Sequence, residues 1–161
     1  MNPSYFRIKL PEKIAVERLC RWMDKTPKET IETSFSQSIA HSLDENGQWK
    51  GGCLFVYENE GWTVFEDLSG GFSGIPAESW QSLAESDEFM MAGYNNAVPY
   101  GELIAITGGV VQKEFLEDLS TPEANVNNGD MFQEVKDWTG AAGVVDDDGI
   151  VYSEQGTVMI F

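Results

Sequence analysis

The chain has 161 residues, 42% of them hydrophobic and 23% charged, with a formal net charge of -17. That is enough for one domain with a real core and too short for two comfortable ones. The charge disfavours direct nucleic-acid binding, which needs clusters of Lys and Arg, and no apolar run approaches the roughly 20 residues of a membrane span. The opening residues lack an apolar signal core, so a cytoplasmic protein is expected.

Tyr5 to Leu10 alternates as a first strand. Pro11 then opens a helix in which Ala15, Leu19, Trp22 and Met23 recur at helical spacing. Thr26-Pro27-Lys28-Glu29 reads as a capping box with proline at the first helical position, predicting a second helix with Ile31, Phe35, Ile39 and Leu43 on its apolar stripe. The same spacing of four also fits alternate strand positions across residues 26–43. Cys53–Tyr57 and Trp62–Phe65 form a hairpin through Glu58-Asn59-Glu60-Gly61, and the second strand runs into Glu66 and Asp67.

Pro76 opens a short helix through Trp80 and Leu83, and Phe89–Tyr94 is a further strand. Tyr100–Thr107 and Val110–Leu116 are the cleanest hairpin, joined by Gly108-Gly109. Asp130 caps a helix carrying Met131, Phe132, Val135 and Trp138. Asp146-Asp147-Asp148-Gly149 is a turn, and strands are expected at Ile150–Tyr152 and Val158–Phe161. Without regular βαβ alternation, the expected fold is α+β. It is a single domain over residues 1–161, mainly an antiparallel sheet built from hairpins, with three to four helices. A helical portion spans about residues 11–45 and a sheet-rich acidic portion about 51–161.

The charge is split along the chain. Residues 1–50 carry eight Lys or Arg against seven Asp or Glu, whereas residues 51–161 carry Lys113 and Lys136 against twenty acids. Such an excess reads either as a solvated acidic surface that keeps the protein soluble or as one that attracts a basic partner.

Catalytic constellations are poorly supported. His41 is the only histidine, so a hydrolytic triad lacks a placed base. Gly71-Phe72-Ser73-Gly74 falls one residue short of a nucleophile elbow. Cys20 and Cys53 are too few for a disulfide framework or a usual zinc set. With Gly149 at the sixth position of an EF-hand loop, Val144 occupies the first, where an oxygen ligand is required. Neither glycine pair has phosphate-loop spacing. Successive strand residues face opposite ways, so Glu66 and Asp67 do not line one cleft while the strand continues. They read as surface charge at a strand end. No catalytic residue, metal or cofactor is expected.

The segment "GWTVFEDLSGGFSGIPAESW", followed by "EFMMAGYNNAVPYGELIAITGGVVQKEFLED", resembles the immunity proteins of bacterial polymorphic toxin systems, including those of contact-dependent growth inhibition. The likeness lies in a Trp-initiated strand ending in Glu-Asp-Leu-Ser, a Pro-led short helix and the hairpin after it, over roughly residues 51–120. It implies a cytoplasmic protein that binds a cognate toxin domain and blocks it, the toxin being basic and a nuclease among the candidates, with no contact to nucleic acid or membrane. Carboxylates at strand ends would occupy or cover the toxin's cationic cleft. The candidates are Glu66, Asp67, Glu102, Glu117 and Asp118, with Tyr94 and Tyr100, beside the Asn95-Asn96 break, either aromatic contacts at the surface or packed against the sheet. Two other readings stand beside this one: an acidic adaptor unrelated to toxins, and a small carboxylate-dependent enzyme, which would show two acids facing each other across a deep cleft.

Overall fold

The computed structural model describes residues 4–95, 100–126 and 154–161. Strand β1 (Ser4–Ile8) leads through Pro11 into helix α1 (Glu12–Met23). The first free helical N–H, that of Glu12, donates to the Glu58 carboxylate at 2.7 Å, which places a negative charge at the positive end of the helix. At the other end Asp24 turns left-handed (φ 52°), and the amides of Asp24 and Lys25 return to the carbonyls of Arg21 and Cys20. This closes the helix as a Schellman-type turn does.

The second predicted helix divides in two. Residues 29–34 form strand β2 (Glu29–Ser34), and only Phe35–Ser42 is helical (α2). The capping box at Thr26 is therefore unused. β2 pairs antiparallel with the last strand, from Glu29 opposite Ile160 to Ser34 opposite Gln155, and the β-branched residues Thr30, Ile31 and Thr33 suit that pairing. The start of α2 is set by Glu154, whose backbone carbonyl accepts the Phe35 N–H and whose carboxylate accepts the N–H and the hydroxyl of Ser36. The partner that decides the local structure thus lies some 120 residues away in the chain, out of reach of a local pattern.

Strands β3 (Cys53–Asn59) and β4 (Trp62–Asp67) form the expected hairpin, with a tighter turn than predicted: Glu60 and Gly61 are both left-handed (φ 50° and 83°), as a two-residue primed turn requires. Helix α3 (Ala77–Ala84) follows Pro76. Strands β5 (Phe89–Asn95), β6 (Tyr100–Thr107) and β7 (Val110–Asp118) come next, then a 3₁₀ turn at Pro122–Ala124, and β8 (Gln155–Ile160) closes the described chain. The helix expected after Asp130, the acidic turn at 146–149 and the strand at 150–152 lie outside the described residues.

All eight strands join one antiparallel sheet in the order β2-β8-β3-β4-β1-β5-β6-β7, so the fold is α+β and mainly sheet, in a single compact domain. The N-terminal stretch gives the sheet two strands, one central and one at an edge. β8 is wedged between β2 and β3, and Gly156 is the reason it fits: a Cβ there would run into the Val56 carbonyl and the Phe55 ring.

Helices α1 and α3 pack on one face of the sheet. Their core is aromatic: Phe6 stacks on Phe65 at 4.8 Å, Trp80 lies within 5.1 Å of both Phe6 and Phe89, and Trp22 stacks on Trp80 at 5.4 Å. On the opposite face, α2 covers the β2–β8–β3 end with Phe35 and Ile39. No described helix is long and apolar enough to cross a membrane.

Candidate functional site

Glu66 and Asp67 face opposite sides of β4, as strand geometry requires, but neither is surface charge. Both are buried, at 5% exposure each. β4 sits inside the sheet between β3 and β1, and both faces of the sheet carry core there. The reading of this pair as a solvent-facing strand end is corrected accordingly, and the same correction applies to Glu102, which is 3% exposed in β6.

Asp67 and Glu102 share the α1/α3 face and hold the loop between β4 and α3. Asp67 Oδ1 accepts the N–H groups of Gly70 (2.8 Å) and Gly71 (3.2 Å), and Oδ2 accepts that of Phe72 (2.9 Å). Glu102 Oε2 accepts the Gly74 N–H at 3.0 Å. Ser69 Oγ ties the same loop to the start of β3 by accepting the Cys53 N–H at 2.9 Å. Burial raises the pKa of Asp67, and the loop amides oppose it by stabilising the anion. Burial likewise raises Glu102, against the Gly74 amide and the nearby hydroxyls of Tyr100 and Ser73. These are two acids on one face with raised pKa values; both Asp67 oxygens and Glu102 Oε2 are engaged by backbone amides that fix a glycine-rich loop, while Glu102 Oε1 is buried with no partner among the described residues.

Glu66 projects from the other face into a different environment. The strand registers align one residue from each strand into a row: Ile31, Val158, Phe55, Glu66, Tyr5, Ala92, Leu103 and Phe115. Seven are apolar or aromatic and one is a carboxyl. Among the described residues Glu66 Oε1 has no hydrogen-bond partner, and neither do the buried hydroxyls of Tyr5 and Tyr57. Burial pushes the Glu66 pKa well above the carboxylate range, and the charge of Asp67 adds to the shift. The same burial raises both tyrosines. Two residues along β1, the guanidinium of Arg7 lies 4.0 Å over the Trp62 ring.

Glu117 and Asp118 stand where expected, at the end of edge strand β7, and are only partly buried. The Asp118 carboxylate accepts bonds from the Ser120 N–H (2.8 Å) and hydroxyl (2.6 Å) and from the Thr121 hydroxyl (2.9 Å), which hold its pKa below the usual range. Around them Glu123, Leu119 (65% exposed) and Val126 (37%) are open to solvent. The Tyr100 hydroxyl is buried beside Glu102 and Ser73, so it is not a surface contact. Tyr94 pairs with Gly101 in the sheet, and its side chain lies outside the described residues.

One feature was not foreseen. Beyond the ends of β3, β4 and β8, the loop held by Asp67 walls a pocket of ≈ 360 Å³. Trp22, Met23 and Lys25 come from the end of α1, Phe72 and Ile75 from the loop, and Phe161 from the end of β8. The sequence signal was the alternation of apolar residues and glycines in Gly70-Gly71-Phe72-Ser73-Gly74-Ile75, read there only as a failed nucleophile motif. Among the described residues no group of three or more His, Cys, Asp and Glu is placed to hold a metal ion. Compared with family models, curated proteins and solved structures, the chain matches nothing.

Proposed function

We propose that this chain is an immunity-type binding protein that neutralises a cognate basic toxin domain in the bacterial cytoplasm by covering or occupying its active-site cleft. The observation that carries the reading is the surface at the end of β7, where Glu117, Asp118 and Glu123 surround the exposed Leu119 and Val126. Acids rimming a small apolar centre suit a basic protein partner: the charge speeds encounter and rejects acidic competitors, and the apolar centre supplies the desolvated contact. Glu114, exposed in part on the same edge strand, adds to that charge. The sequence resemblance points the same way.

The test is capture at low ionic strength from a lysate of the source organism. Proteins released by raising the salt are then identified, and each basic domain is expressed in a bacterial host with and without this chain. The expected outcome is a domain that arrests growth alone and is tolerated when the chain is co-expressed. A captured basic domain that is harmless, or that stays lethal beside the chain, contradicts the reading.

A further inference from the structure

The pocket under the 70–75 loop takes no part in the interface proposed above, and three of its features bear on a ligand. Its size, ≈ 360 Å³, falls within the range of small-molecule sites, and its lining is dominated by Trp22, Phe72, Ile75 and Phe161. Two of its walls are glycines, Gly52 and Gly71, and neither is a glycine for steric or conformational reasons. A Cβ at Gly52 would meet no atom within 4 Å, one at Gly71 only Ser69 Oγ at 3.9 Å, and neither residue has a left-handed φ. The backbone would accept a side chain at both positions, so the open space is a property of the sequence and not a demand of the fold.

The third feature is charge. Lys25 stands on the rim, exposed, and among the described residues no carboxylate lies within ion-pair distance of it. Lys13 and Lys28 are likewise without a carboxylate at ion-pair distance among the described residues, but of the three only Lys25 lines the pocket. The nearby end of α1 would repel an anion through its free carbonyls, but the Asp24 and Lys25 amides close onto the Arg21 and Cys20 carbonyls and reduce that effect.

We propose that this pocket binds a small amphiphilic carboxylate, its hydrocarbon body between Trp22, Phe72 and Phe161 and its carboxylate on Lys25. The loop clamp then has a purpose beyond folding: by fixing Gly70, Gly71 and Phe72, Asp67 sets the wall against which the hydrocarbon lies.

The experiment is a calorimetric titration of the full chain with decanoate and, separately, with decanol. Wild-type protein should bind decanoate saturably and more tightly than decanol. The double variant Gly52→Leu/Gly71→Leu should fold with an unchanged melting temperature and lose saturable binding of both. Lys25→Glu should weaken decanoate by about fivefold or more, as removal and reversal of one exposed ion pair does, and leave decanol unchanged. Decanoate binding that survives the double leucine variant overturns the site. Equal binding of decanol and decanoate by the wild type, or a Lys25→Glu variant that binds decanoate as before, overturns the anionic class of ligand. Failure of the wild type to bind decanoate saturably overturns the proposal, and none of these outcomes touches the toxin-binding reading, which uses a different surface.

Discussion

Glu66 and Asp67 are neighbours in one strand, equally buried, and their situations are opposite. On the α1/α3 face Asp67 receives three backbone amides at 2.8–3.2 Å, so its burial is compensated by charge-assisted hydrogen bonds and it organises the loop after β4. On the other face Glu66 occupies the middle of a row that is otherwise apolar across all eight strands, with Oε1 unpartnered among the described residues. The difference teaches that burial alone does not say whether an acid stabilises a protein. The supply of donors decides the sign.

The largest effect that sharpens this contrast is expected at Asp67. Asp67→Ala removes the acceptor for three amides and should lower stability by about 3 kcal/mol or more, since each charge-assisted bond contributes about 1.5–3 kcal/mol and the amides are left partly buried. Urea denaturation measures the loss. Hydrogen exchange at Gly70, Gly71 and Phe72 should accelerate more than exchange in the sheet. Uniform acceleration through the sheet would break the idea of a local clamp.

Glu66 should respond in the other direction. Glu66→Leu fits the apolar row and should raise stability at pH 8 by about 1–3 kcal/mol, the usual cost of a buried polar group without a partner. The pH dependence carries the sign. Burial raises the folded-state pKa, so between the unfolded value of about 4.3 and the folded value the native protein keeps a proton that the unfolded chain has released. The stability tied to protonated Glu66 is therefore full below the unfolded pKa and is lost as pH rises through the folded one. Urea midpoints of wild type and Glu66→Leu should lie closest near pH 4 and separate towards pH 8. Parallel curves would mean that Glu66 is solvated in the native state.

Much of the fold was legible in the sequence because its signals are local. Pro11 and Pro76 introduce their helices, Glu60-Gly61 and Gly108-Gly109 make their turns, and each hairpin is bounded by its own residues. The failures were non-local. β2 is a strand because β8, from the far end of the chain, lies beside it. Cys53–Tyr57 is a continuous apolar run, which fits a strand buried on both faces, and that carried a warning about its neighbour: any carboxyl in β4 would share the same double burial. Glu66 and Asp67 are such carboxyls, and Glu102 in the apolar run of β6 repeats the case. Glu117 and Asp118 do stand at a strand end beside a loop, as their position after the apolar run of the hairpin implies, and both are only partly buried.

The buried and exposed acids also make different claims about recognition. Only acids at the surface can meet a basic partner, so the account assigns recognition to the end of β7 and denies it to the interior of β4. The most direct test is the affinity of the captured basic domain for three proteins: wild type, Glu117→Lys/Asp118→Lys, and Glu66→Leu. All three should fold. The account predicts that the charge-reversed variant binds at least about tenfold more weakly, with a shallower salt dependence, and that Glu66→Leu binds as the wild type does. Unchanged affinity in the charge-reversed variant, or a loss confined to Glu66→Leu, would contradict it.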